Sequence, residues 1–291
     1  MANNLKTVAL MALLGGLFVG LGWFFFGQQG ALIALGIAVV LNFFMYWFSD
    51  KIAIKAARAR PVAEHELPDV YAIGRSLAMR AEMPMPDIYL IHSKQPNAFA
   101  TGRNPKHAAV AVTTGIIEAL NYQELEGVLA HELSHVKNRD ILISSVAATI
   151  GVAMSFLARI AFWGSLGRRG GGSNNAFTAV AGLAAIIIAP LVAVIIRMAI
   201  SRSREFEADR SGSELTGAPL NLASALDKLD AGTSRHPMEV GAAASTLFIA
   251  DPYASLSAQQ RQKRRFSGMF STHPPIQERI ERLTQMASPL S

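Results

Sequence analysis

The chain has no cysteine among its 291 residues. That excludes disulfides and every zinc site built on thiolates, so a metal site must be assembled from His, Asp, Glu and water. Charge is also scarce. Only 16% of residues are charged against 51% hydrophobic, and mean hydropathy is +0.28. Such a balance is unusual for a water-soluble domain and points to membrane segments. Lack of cysteine does not fix the compartment. The net charge is +6, and much of the basic charge borders apolar runs. The partner this favours is an anionic membrane surface. No nucleic acid is expected, because Arg58-Ala59-Arg60 and Arg261-Gln262-Lys263-Arg264-Arg265 lack aromatic interleaving or a recognisable module.

Four long runs carry no charge. Thr7 to Phe26 has 20 residues and Ala31 to Phe48 has 18, each about long enough to cross a bilayer as a helix. Gly27-Gln28-Gln29-Gly30 joins them, so residues 1–48 read as a transmembrane hairpin; a signal peptide is the alternative for the first run. Lys51, Lys55, Arg58 and Arg60 follow the hairpin, whereas its turn is uncharged. The positive-inside rule then puts the N-terminus and residue 49 onward in the cytoplasm. Ile141 to Ala158 (18 residues) and Ala176 to Ile196 (21 residues, with Pro190 inside) form a second apolar pair. Residues 141–200 read as a second transmembrane hairpin around the loop 168–175, or alternatively as core helices of a soluble domain.

Residues 49–140 are expected to form one part of a catalytic unit and 201–291 the other. Asp69 to Ala81 has the pattern of an amphipathic helix. Asp87–His92, Ala98–Thr101 and Ala108–Thr113 are strand candidates, the last two separated by a turn at Gly102-Arg103-Asn104-Pro105. Asn121 and Glu124 match a capping box opening a further helix. The fold class expected is mainly α with a small β-sheet, an integral membrane protein with two transmembrane hairpins.

The helix opened by Asn121 carries His131-Glu132-Leu133-Ser134-His135. Positions four apart on a helix lie about 40° apart. His131 and His135 can therefore bind one zinc ion, while Glu132 beside them can take a proton from the attacking water. Leu125, Leu129, Leu133 and Val136 form an apolar stripe on roughly the opposite side. His65-Glu66-Leu67-Pro68-Asp69 is an internal control: it begins with the same letters but lacks the second histidine and carries a proline where the helix must continue.

A catalytic zinc usually has three protein ligands. Glu205, Glu207 and Asp209 are the candidates for the third. Glu205 and Asp209 share a helical face, so Glu205 can bind metal and Asp209 can accept a hydrogen bond from a liganding imidazole. An exposed charged turn is the alternative. His135 precedes the third apolar run and Glu205 follows the fourth, so the two meet only if the chain crosses the membrane an even number of times between them. Ile141 is six positions past His135, about 9 Å along a continuing helix, which puts the metal near the membrane surface.

These motifs, with Asn138-Arg139-Asp140 and Ser271-Thr272-His273-Pro274-Pro275, occur in the order that resembles the HtpX-type membrane proteases. The resemblance covers essentially the whole chain. It implies a zincin-like, membrane-bound zinc endopeptidase of the bacterial inner membrane, related to the prenyl-protein proteases. Its active site would face the cytoplasm, its substrates would be misfolded or damaged membrane proteins under stress, and it would hold one Zn2+ per chain. Carried over residue by residue, it makes His131, His135 and Glu205 the ligands, Glu132 the general base and Asp209 a carboxylate behind the ligands. Asn97, Ala98 and Phe99 fall in a segment expected to lie along the cleft, where an extended substrate can add a strand. His273 can help hold an oxyanion or merely cap the following helix, whose buried stripe would be Ile276, Ile280 and Leu283. Arg279 can pair with a buried carboxylate or be solvated. A processing protease for lipidated C-termini is the alternative enzyme, and a non-enzymatic adaptor with a structural zinc site the alternative of another class.

Overall fold

A computed structural model of the chain describes residues 2–138, 140, 142, 202–236, 238, 240, 244–253 and 274–288. Apart from Leu142, the second apolar pair, its loop and His273 lie outside the described residues.

Helix α1 (Ala2–Ala56) is broken at Gly27, whose φ of 63° and ψ of −152° are not helical. A residue with a side chain resists this conformation, and glycine adopts it freely. The chain doubles back there into two antiparallel arms. Asn42 donates from Nδ2 to the Met11 carbonyl at 3.2 Å. Gly22 lies so close to the other arm that a Cβ would stand 2.5 Å from the Gly30 carbonyl oxygen. On the second arm Ala31, Ala34 and Ala38 are buried, while Leu32, Ile33, Ile37, Val40, Phe44 and Trp47 are exposed. Gly27–Phe44 is apolar and long enough to cross a membrane.

Strands β1 (Arg60–Pro61), β2 (Asp87–Ile91), β3 (Ala98–Asn104) and β4 (His107–Thr113) make one mixed sheet in the order β1-β2-β4-β3. β2 and β4 are parallel; the outer pairs are antiparallel. Successive side chains alternate between faces, and here both faces are covered. Ile88, Leu90, Ala98, Ala100, Val110 and Val112 join the main core, with helices α2 (Pro68–Arg80), α4 (Tyr122–Lys137) and α6 (Pro219–Arg235). Ile91, Phe99 and Ala111 face the other way, onto Ala53 and Ala57 at the foot of α1 and onto Met238, Leu247, Phe248 and Tyr253. The hairpin is thereby fixed to the sheet through its last two turns.

Helix α2 begins one residue before the expected start, with Pro68 at its first turn. The decoy at His65 lies in the turn before it, where Glu66 accepts from Arg60 and from the Ala63 backbone N–H. The β3–β4 turn is tighter than expected. The strands run on to Asn104 and resume at His107, with a register irregularity between Gly102 and Asn104. β1 and the short helix α3 (Thr114–Ala119) have no counterpart in the sequence reading. Helix α5 (Arg202–Thr216) precedes α6, and α7 (Ile276–Ala287) closes the fold; Leu283 is buried, and Ile276 and Ile280 pack against the main core.

Candidate metal centre

The capping box at the start of α4 is complete. Asn121 accepts from the Glu124 N–H at 2.9 Å, and Glu124 accepts from the Asn121 N–H at 2.9 Å. Glu124 is also tied to α6, accepting from Ser224 Oγ and Lys228 Nζ at 2.7 Å each. The helix is therefore pinned at its N-terminus, two turns before the histidines. The side opposite the leucine stripe is covered as well. Besides the leucine stripe, Gly127, Val128, Ala130, His131, Glu132 and Ser134 are buried, because α5 packs on the side that carries the histidines. Gly212 makes that approach possible: a Cβ there would lie 2.8 Å from the His131 backbone nitrogen.

Packing at Gly212 brings Glu205 and Asp209, about two turns and one turn earlier on the same face, against His131 and His135. The Nε2 atoms of the two histidines are 3.2 Å apart. Glu205 Oε2 lies 3.8 Å from His131 Nε2, and Glu205 Oε1 lies 3.7 Å from His135 Nε2. Ligand atoms about 2.0–2.1 Å from a tetrahedral zinc stand about 3.3 Å from one another, so these separations fit one ion. Two imidazoles and a carboxylate are also a donor set of catalytic rather than closed structural zinc sites. His131, His135 and Glu205 are the group among the described residues able to hold a metal, their ligand atoms all lying within 4.8 Å of one another.

Each imidazole is aimed by a carboxylate on its far nitrogen. His131 Nδ1 is 2.9 Å from Asp209 Oδ1, and His135 Nδ1 is 3.0 Å from Asp140 Oδ2. With Nδ1 donating, Nε2 of each ring presents its lone pair to the metal position. Asp140 was not singled out from the sequence beyond its place in Asn138-Arg139-Asp140. The signal was a carboxylate three residues past the last helical residue, where the chain turns back toward His135 and the Asp140 N–H reaches the His135 carbonyl. Burial alone would lower the pKa of His135, but Asp140, Glu205 and Glu132 outweigh it and push it up to about 10. The carboxylates that favour the imidazolium would also favour a cation between the ligand atoms, which must displace that proton to bind.

Asp209 is held in turn by Arg279 on α7. The guanidinium is fully buried and donates from Nε to Oδ2 at 2.8 Å and from Nη2 to Oδ1 at 2.7 Å. Burial would raise the Asp209 pKa; Arg279 and His131 reverse this and hold the carboxyl far below the usual range. Arg279 itself stays charged, because Asp209, Glu205 and Glu132 overcome the effect of its burial.

Glu132 is buried beside the ligands, and its Oε2 accepts from the Ala100 N–H of edge strand β3 at 2.7 Å. Burial raises its pKa, with Glu205 adding to the rise against the opposing effect of the two histidines and the Ala100 N–H. A raised carboxyl next to a metal site is suited to taking up a proton and giving it back.

Residues 97–99 are placed otherwise than the sequence suggested. Asn97 is fully buried, bonds Ala250 through Nδ2 and Oδ1, and receives Ala98 N–H on Oδ1. The Ala98 carbonyl accepts from Ile249 N–H at 3.0 Å. Phe99 pairs with Ala111, and its ring packs edge-on against Phe248 with centroids 5.0 Å apart. These three residues anchor the strand, and the edge meets the site one residue later, at Ala100.

A family model described as peptidase family M48 matches residues 64–287. Curated relatives named "Protease HtpX homolog" align over almost the whole chain. The one from Pelotomaculum thermopropionicum is 47% identical over 98% of this chain and 99% of its own length. The one from Thermodesulfovibrio yellowstonii is 48% identical over 98% and 99%, and that from Burkholderia thailandensis 47% identical over 99% and 98%. Among solved structures, S. mikatae Ste24p is similar in fold, with a TM-score of 0.51 at 20% identity; the alignment covers 97% of this chain and 65% of that one, so this chain spans about two-thirds of its length. Sequence matches of this length agree with a zinc-competent cluster in a fold that begins with an apolar hairpin: the chain belongs to peptidase family M48 and is a membrane-bound zinc metalloprotease.

Proposed function

We propose that His131, His135 and Glu205 hold the zinc, that Glu132 is the general base, and that the enzyme is an endopeptidase for misfolded or damaged membrane proteins at the cytoplasmic face of a bacterial inner membrane. The observation that carries the chemistry is the meeting of three ligand groups from α4 and α5 with a buried carboxylate aimed by the Ala100 N–H. Bound there, zinc supplies a Lewis acid that polarises the scissile carbonyl and activates water near neutral pH. Glu132 takes the proton of the attacking water and passes it to the leaving amine. Asp140 and Asp209 keep the two imidazoles in the tautomer that ligates. Strand β3 from Ala100 onward gives an extended peptide a backbone to lie beside, which selects for conformation over sequence and suits unfolded substrates. The foot of α1 under the sheet keeps the site close to the bilayer. The cations at 51, 55 and 58, against an uncharged hairpin turn, support the cytoplasmic orientation.

The test is cleavage of an unfolded protein by the detergent-purified chain, alongside metal analysis. Glu132→Gln is expected to keep its zinc and lose cleavage, while Glu205→Ala loses the metal. Cleavage retained by Glu132→Gln would remove it as the base. Orientation is tested separately, by labelling single cysteines introduced at 64 and 220 from one side of the membrane in this cysteine-free chain.

A further inference from the structure

The outer end of β3 lies against the membrane hairpin rather than the catalytic core. Arg103, three residues past Ala100 and about 10 Å along the strand, places its guanidinium over the ring of Trp47, 4.7 Å from the centroid. One helical turn on, Lys51 Nζ sits 5.7 Å from the centroid of Phe48. Phe43, Phe44, Trp47 and Phe48 are all exposed, at 56, 52, 43 and 37%. They form one continuous band, with Phe44 and Phe48 stacked at 5.4 Å and Phe43 and Trp47 at 5.9 Å. Aromatic rings with cations above them are the side chains of a membrane interface, where the ring sits at headgroup depth and the charge meets phosphate.

The charges around the band are mostly basic, with Asp50 the acid among them. Lys51, Lys55 and Arg58 lie on the hairpin side, Arg103 near the end of β3 and Lys106 in the β3–β4 turn. The first acidic residue of the chain is Asp50, whose Oδ1 accepts from the Lys51 backbone N–H at 2.7 Å. No acid occurs between Asp87 and Glu118. Ala53 and Ala57, buried under the sheet, hold the band in fixed relation to β3 and the site.

We propose that the rings of Phe43, Phe44, Trp47 and Phe48 together with Lys51 and Arg103 form a binding site for anionic phospholipid headgroups. It sets the depth at which the outer end of β3 meets the bilayer. The two cation–π pairs hold cations over the ring faces while leaving donors for phosphate. The proposal rests on the reading of α1 as a membrane-embedded hairpin.

The test uses the full chain in phospholipid nanodiscs with Trp23→Phe and Trp163→Phe, so that Trp47 alone fluoresces. Phosphatidylglycerol or phosphatidylcholine brominated near the headgroup is titrated in at matched mole fraction, and zinc content is measured for every variant. The expected result is stronger quenching by phosphatidylglycerol. Each of Arg103→Gln and Lys51→Gln should lower its apparent association about fivefold with zinc content unchanged. Equal quenching by both lipids overturns the headgroup site and leaves the membrane hairpin standing. No quenching by either lipid overturns the hairpin reading and this proposal with it. Loss of the preference on adding inorganic phosphate also overturns the proposal, since it identifies a free-phosphate site.

Discussion

Arg279 and Asp209 form a fully buried pair joined by two hydrogen bonds of 2.8 and 2.7 Å, and the same Asp209 oxygen that takes one of them lies 2.9 Å from Nδ1 of His131. The C-terminal helix α7 therefore holds a metal-site histidine through a single carboxylate on α5. Removing the guanidinium leaves the charged, buried Asp209 with His131 as its remaining partner, and breaking a buried ion pair costs up to about 3–5 kcal/mol. Arg279→Met is expected to lower the melting temperature strongly and to weaken zinc binding. Arg279→Lys should recover part of the stability but less of the affinity, because an ammonium cannot match both carboxylate oxygens in one plane. Asp209→Asn should keep the shape and lower zinc affinity by about 10- to 100-fold. Competition with a zinc-chelating dye and thermal unfolding separate the two effects.

Ala100 isolates the anchoring of Glu132 from the metal. Its N–H leaves the sheet edge for Glu132 Oε2, so it is not part of the β3–β4 ladder. Proline is tolerated on an edge strand where the missing donor faces outward. Ala100→Pro is expected to leave zinc content near one per chain and to lower kcat by about tenfold or more, within the range ascribed to a positioned acid–base group. Unchanged kcat would show that the hydrogen bond does not position the carboxylate.

Local patterns were legible where one residue type has one physical role. The capping box at Asn121 and Glu124, the stripe Leu125, Leu129, Leu133 and Val136, and the shared face of Glu205 and Asp209 all follow from helix periodicity. What periodicity does not reveal is what packs on the far side. The leucine stripe marks one buried face; that α5 covers the other, because Gly212 lets the backbones touch, is not legible, since a glycine in a helix announces no partner. Arg279 read as solvated or paired with equal ease, since only the tertiary approach of α7 to α5 gives it Asp209. Asn97–Phe99 lie on the expected strand, but its outer edge there is taken by residues 249–250. Alternation tells which residues share a face, but the strand's partners at 249–250 lie some 150 residues away. Asp140 escaped notice because it acts from beyond the helix end, outside the spacing rules that mark ligands.

Gly212 and Gly217 differ in a way that tests the helix contact. A Cβ on Gly212 would press on the His131 backbone at 2.8 Å, whereas nothing lies within 4 Å of one on Gly217, whose φ is +69°. Gly212→Ala must separate α4 from α5, at about 1–3 kcal/mol for overpacking, and it pulls Glu205 away from the histidines. Gly217→Ala costs only about 1–2 kcal/mol of left-handed backbone strain at the end of α5. Both variants should melt lower, but only Gly212→Ala should lose zinc affinity. Equal zinc affinity in the two would show that the metal cluster tolerates helix separation.

Glu124 gives the fold an acid limit away from the metal. Its burial raises the carboxyl pKa, but Lys228, Ser224 and the Asn121 N–H more than reverse this, so the net shift is downward. A carboxyl whose folded pKa lies below its unfolded value, about 4.3, contributes its full stability above that value and loses it as pH falls through the folded pKa. Between pH 7 and about 5 the contribution is constant; below about 4.3 it declines. Glu124→Gln keeps the shape of the capping box but loses the charge pairing with Lys228, and its stability should be lower at pH 7 by about 1 kcal/mol, the usual scale of a cap interaction. The difference between wild type and Glu124→Gln should then shrink as pH falls below 4. Melting curves of the zinc-free forms from pH 3 to 7 measure it, with zinc removed so that its own pH-dependent binding does not contribute. A difference that stays constant across that range would mean the carboxylate is not charged where it caps α4.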